Sequence, residues 1–115
     1  GADVLAFDEQ LPARFRSAAR KLSMQCFGYD TLLAVGKTSS KTGSVAEAIV
    51  LACQETFLGF AVFCLSQQGL HIVVDHIAVE GRERRKGYGR LLIAYMWQRC
   101  VALNLAGLRL TVDWN

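Results

Sequence analysis

A chain of 115 residues, 52% hydrophobic and 20% charged with a single proline, has room for one core and not for two, so one globular domain with one function is expected. Its longest apolar run, residues 58–65, is less than half of a bilayer crossing and no basic-plus-apolar leader opens the chain, so a soluble, intracellular protein without a membrane partner is expected. The formal charge of +3 is modest, but Arg82, Arg84, Arg85, Lys86 and Arg90 gather five of the 13 basic residues into nine positions, which points to an anionic partner.

In chain order, "DEQLPARFRSAARKLSMQCF" places Leu11, Phe15, Ala19, Leu22 and Cys26 on one stripe and Arg14, Arg20 and Lys21 away from it. This predicts an amphipathic helix with Asp8 as its start cap. "TLLAVGK" (31–37) and "AEAIVLAC" (46–53) read as strands on either side of a Ser/Thr/Gly loop. "TFLGFAVFCL" (56–65), a "SQQG" turn and "LHIVVDHIAV" (70–79) form the clearest hairpin. From Tyr88 to Asn104 the period becomes helical, with Leu92, Tyr95, Met96 and Leu103 beside Ile93, Trp97 and Val101 in a wide apolar face that should lie flat on a sheet. Gly107 is expected to stop that helix before a last strand over 108–113. The second half thus reads strand, strand, helix, strand, and the fold class is α+β with a mixed sheet.

Cys26, Cys53, Cys64 and Cys100 sit inside apolar patterns without the close pairing of a zinc or redox motif, so buried free thiols and no metal are expected. Chemistry is concentrated instead where the second hairpin strand meets the following helix. The start of a helix leaves backbone N–H groups unpaired and carries partial positive charge, which suits phosphate. Gly87 and Gly89 would let an anion reach that backbone, and Arg84, Arg85, Lys86 and Arg90 would add charge-assisted bonds. A P-loop does not fit, because Thr31 stands where its first glycine belongs ahead of Gly36, Lys37 and Thr38. A dinucleotide fingerprint fails because its third glycine would fall on Leu92.

"HIAVEGRERRKGYGRLL", with Arg84, Gly87 and Gly89 in the spacing Arg or Gln, two residues, Gly, one residue, Gly or Ala, resembles the signature of the GNAT superfamily of acyl-CoA N-acyltransferases. The clear resemblance covers residues 56–115 and the opening part matches loosely. It implies a mostly antiparallel sheet flanked by helices, with acetyl-CoA or coenzyme A as co-substrate. It also implies that backbone N–H groups of Arg85, Lys86, Gly87, Tyr88, Gly89 and Arg90 hold the pyrophosphate, with Arg84 in the first signature position. Main-chain groups of Ile77, Ala78 and Val79 would pair with the pantetheine arm, and one of them would polarise the thioester carbonyl.

An amine acceptor must lose a proton before it attacks, since a free alkylammonium titrates near 10. Asp75 is the candidate base: by the two-residue period it shares the face of Val73, Ile77 and Val79, and a lone aspartate in "IVVDHIAV" is costly to bury without a purpose. His76 then faces the other way, as a packing residue. The family ordinarily continues with a helix and two strands that complete the acceptor pocket and supply an acid, so a shortened chain, or a homodimer that covers the open edge, is expected. "KGYGRLLIA" also resembles the coenzyme-binding segment of MYST histone acetyltransferases, which bears on the cofactor and not on the acceptor. The leading reading is an N-acetyltransferase acting on a protein lysine, an N-terminus or a small amine. A non-catalytic coenzyme A-binding module is the second. A small nucleic-acid-binding domain is the third, disfavoured because only Tyr88 is interleaved with the basic residues.

Overall fold

The computed structural model describes residues 1–40 and 42–111. Five strands lie in the order of the chain: β1 (Asp3–Ala6), β2 (Glu47–Cys53), β3 (Thr56–Leu65), β4 (His71–Val79) and β5 (Gly107–Leu110). The first four pair antiparallel and β5 joins β4 in parallel, the crossover between them being the helix α2 (Tyr88–Ala102). The mixed, mostly antiparallel sheet with flanking helices is as expected.

The helix α1 (Ala13–Phe27) covers one face and α2 the other, which gives two apolar layers. Leu11, Phe15, Ala19 and Leu22 pack with Val50, Phe60, Val62 and Ala78 under α1. Ile49, Phe63, Val74 and Ile77 pack with Leu92, Met96 and Cys100 under α2. The predicted stripe of α1 is the buried one, although Asp8 caps only the turn before it, through the N–H groups of Gln10 and Leu11 at 2.9 and 3.1 Å, and Pro12 stands at the helix start.

Three expectations are corrected. Residues 31–37 are not a strand. The Asp30 carboxylate accepts from Leu32 N at 3.0 Å and winds Thr31–Ala34 into a 3₁₀ turn that buries Leu32, leaving only isolated bridges at Val35 and Thr38. The apolar face of α2 is narrower than the sequence suggests: Leu92, Met96 and Cys100 are buried with Ile93 and Tyr95 packed partly buried beside them, but Trp97 and Val101 are 52% and 65% exposed, on the side of the helix away from the Leu92–Met96–Cys100 row. That helix is capped at Leu103, ahead of Gly107, which already belongs to β5. Val112 and Asp113, predicted as the end of the last strand, lie outside the described residues.

Gly59 holds β3 against β4. A Cβ there would sit 2.5 Å from the Ala78 carbonyl oxygen and 3.2 Å from Val79 Cα, both backbone atoms that cannot swing aside. Gly59→Ala is therefore expected to lower Tm by roughly 4–15 °C, the effect of about 1–3 kcal/mol of overpacking in a domain of this size. Thermal unfolding followed by circular dichroism measures it, and an unchanged Tm would mean that the strands separate without cost.

Candidate functional site

Both ends of the candidate site are built on β4. Beyond Val79 the chain makes a short 3₁₀ turn, Gly81–Glu83, and then enters α2 through Arg84–Gly87. Arg85 and Gly87 both take the left-handed conformation, at φ 67° and 85°. A non-glycine residue held there costs on the order of 1–3 kcal/mol and persists where surrounding structure enforces it. Left-handed residues in a turn just ahead of a helix suit a concave cradle of N–H groups for an anion, and this turn is the candidate for one. The N–H groups of Tyr88, Gly89 and Arg90 follow as the first of α2, whose ladder bonds begin with Leu91 N to Gly87 O at 3.2 Å.

These groups border a cavity of ≈ 590 Å³ lined by Val79, Glu83 and the whole run Arg84–Arg90. All seven residues predicted for the pyrophosphate are thus brought together. Glu83 was not foreseen; its carboxylate binds Lys86 Nζ at 2.9 Å and pushes the Lys86 ammonium above its ordinary range, first through that bond and then through its charge. Arg84 is a tie within the fold: its Nε donates to Val79 O at 3.2 Å and its Nη2 approaches Cys26 Sγ at 3.7 Å, linking the loop to β4 and α1. Ile77 and Ala78 are buried on opposite faces of β4, and their main chain runs beside β3.

Four residues up the strand the register breaks. Val62 faces His76 but Phe63 faces Val74, so β4 carries one extra residue, a β-bulge at Asp75. The bulge overturns the predicted facing. Ile77 packs under α2 as Val74 does, whereas Asp75 and His76 both line a second cavity, of ≈ 540 Å³, on the side of α1. His76 is therefore not turned away from Asp75. The period of two that separated them fails where a residue is inserted.

This second cavity is bounded by the turn after α1 and by the loop that follows it, including Tyr29, Asp30, Lys37 and Ser39, and by Val62 and Cys64 of β3. Tyr29 Oη lies 2.7 Å from His76 Nε2, and the Cys64 thiol donates to Asp75 Oδ2 at 3.8 Å. Burial, followed by the charge of Asp75, raises the Cys64 thiol above its ordinary value of 9.0. Cys64 accordingly stays protonated near neutral pH. The stability that comes with this raised value is complete below the ordinary thiol range and is lost as pH rises through the folded value. Cys64 is buried, as expected, and Cys26 is half-buried. Sequence reasoning did not find Tyr29 as a partner of His76, since 47 residues separate the two and no local signal joins them.

Among the described residues no helix is long and apolar enough to cross a membrane, and no group of three or more His, Cys, Asp and Glu side chains stands together for a metal. Residues 17–115 match the model of the acetyltransferase (GNAT) family. No curated protein matches the chain. Among solved structures, the ribosomal-protein-alanine N-acetyltransferase from Brucella melitensis biovar Abortus 2308 aligns with a TM-score of 0.71 at 23% identity, over 98% of this chain and 81% of that one. Ard1 from Thermoplasma volcanium gives 0.71 at 18% identity, over 95% and 70%. An aminoglycoside acetyltransferase from an uncultured soil metagenomic sample, solved with sisomicin, gives 0.73 at 14% identity, over 97% and 78%. At these identities the likeness is one of fold.

Proposed function

The chain belongs to the acetyltransferase (GNAT) family, and from that membership we propose that it transfers the acetyl group of acetyl-CoA to a primary amine, by direct attack with both substrates bound. The observation that carries the proposal is the course of β4, which runs from a basic backbone cradle at Val79 to a cavity holding a carboxylate at Asp75. Four residue steps separate them, about 13 Å of strand. The cradle fits a diphosphate: left-handed backbone at Arg85 and Gly87 faces a helix start, among four basic side chains and one acidic one.

In this reading the N–H groups from Arg85 to Arg90 hold the diphosphate, and the side chains of Arg85, Lys86 and Arg90 balance its charge. Main-chain groups of Ile77, Ala78 and Val79 take up the pantetheine arm. Bound acetyl-CoA supplies an acetyl group activated as a thioester. Asp75 draws in the ammonium form of the acceptor and takes its proton, so that the neutral amine can attack. A protein lysine, an N-terminal amine and a small amine all satisfy this chemistry.

Saturating coenzyme A is expected to raise Tm by mass action on the folded state. Acetyl-CoA offered with n-butylamine, the tripeptide Ala-Gly-Gly or Nα-acetyl-lysine amide is expected to release free thiol with at least one of the three. No thermal stabilisation would defeat the reading. Stabilisation without thiol release would make the protein a coenzyme A-binding module that does no chemistry.

A further inference from the structure

We propose that the acceptor is an amino acid, with its ammonium group drawn to Asp75 and its carboxylate held by Lys37 in the cavity on the α1 side. The proposal rests on the acetyl-transfer reading above and names the acceptor class of that cavity. Its starting observation is the charge around the cavity. The ionisable groups that border it are Tyr29 and Asp30 from the turn after α1, Lys37 from the loop beyond, Cys64 from β3, and Asp75 and His76 from β4.

Most of these groups are already engaged. The Asp30 carboxylate accepts from Leu32 N at 3.0 Å and lies 3.7 Å from Arg20 Nε, so its charge is taken up within the fold. Tyr29 Oη and His76 Nε2 are bonded to each other at 2.7 Å. Cys64 is a neutral thiol that donates to Asp75 Oδ2. Asp75 and Lys37 remain, and among the described residues neither stands in an ion pair. One carboxylate and one ammonium around ≈ 540 Å³ of space complement a zwitterion. A polyamine would bring several positive charges to a single open carboxylate and would meet Lys37 as a like charge.

The main chain of Lys37 sets it at the cavity. Its N–H donates to Ala34 O at 3.0 Å and its carbonyl accepts from Ala46 N at 3.1 Å, which ties the loop both to the 3₁₀ turn and to the residue before β2. The residue is exposed, and an ammonium on a flexible four-carbon stem can swing to meet a carboxylate. Leu33, Ala34, Ala46 and Val62 add apolar wall for the aliphatic part of an amino acid. In the step, the acceptor nitrogen bonds to the acetyl carbon and the C–S bond breaks with its electron pair going to sulfur. Of the two protons that the nitrogen gives up, one leaves to solvent by way of Asp75 and the other ends on the coenzyme thiol. The product is an N-acetyl amino acid with a single negative charge. It has lost its attraction to Asp75 and is repelled by it, which favours release.

The test uses the intact protein and acetyl-CoA with L-leucine and with L-leucinamide, in which a neutral amide replaces the carboxylate. L-Leucine is expected to show the lower KM. Lys37→Gln is expected to raise KM for L-leucine about tenfold, between the worth of an exposed ion pair and that of a charged hydrogen bond, with kcat little changed. The ratio of kcat/KM for L-leucine to that for L-leucinamide should fall by the same factor. Lys37→Arg keeps the cation and should keep the ratio. A purely structural role for Lys37 would lower turnover of both compounds together and leave the ratio where it was. A wild-type KM for L-leucine no lower than that for L-leucinamide, or a ratio unmoved by Lys37→Gln, overturns the proposal and leaves the acetyl-transfer reading standing. Turnover of n-butylamine or Nα-acetyl-lysine amide but of neither leucine compound does the same. No thiol release by the wild type with any amine overturns that reading itself.

Discussion

Asp75→Asn is expected to cut acetyl-CoA-dependent thiol release by roughly two to four orders of magnitude while coenzyme A affinity stays near its wild-type value, since the substitution keeps the shape and removes the basicity. The separation of the two effects follows from position. Asp75 lines the cavity on the α1 side, and the basic cradle begins at Val79 beyond the buried Ile77 and Ala78. The asparagine can still accept from the Cys64 thiol, so the local packing should hold. Cys64 also reports on the change. With the carboxylate charge gone, one of the causes that raise its thiol is removed and its titration should move down, which thiol alkylation against pH would detect. An Asp75→Asn protein with full turnover would show that another group or water takes the proton.

Gly89→Val is expected to weaken coenzyme A binding by at least an order of magnitude, measured by isothermal titration. Gly89 is the second residue of α2, buried at the foot of the cradle among Arg85, Lys86 and Arg90. Its N–H is one of those the helix leaves unpaired, and two added methyl groups would stand where an anion must come into contact with it. Melting of the ligand-free protein separates loss of binding from loss of fold. Wild-type affinity in a folded Gly89→Val protein would place the diphosphate elsewhere.

Much of this was legible in the chain. β3, the turn after it and β4 were readable because a hairpin is local and its apolar runs end at turn residues, and the predicted 56–65 is the observed β3. α1 was readable from the stripe of Leu11, Phe15, Ala19 and Leu22. β1 was not read as a strand: "DVLA" is four residues with no alternation of its own, and it is a strand because β2 pairs with it. The 3₁₀ turn at Thr31–Ala34 was missed because apolar Leu32 and Leu33 suit a strand equally well, and only the Asp30 cap and the burial of Leu32 decide against one.

By itself the sequence placed Arg84, Gly87 and Gly89 at the join of strand and helix, where Gly87 takes the left-handed conformation just ahead of α2, because such a join is built from a few neighbouring residues. Tertiary structure alone decided the opposite cavity. Whether Asp75 and His76 face apart or together depends on a single inserted residue in the pairing of β4 with β3, and the partner of His76 comes from a turn 47 positions earlier. Register is settled by which layers of side chains pack best across the whole sheet, so a shift of one residue exchanges the two faces without any mark in the strand's own sequence.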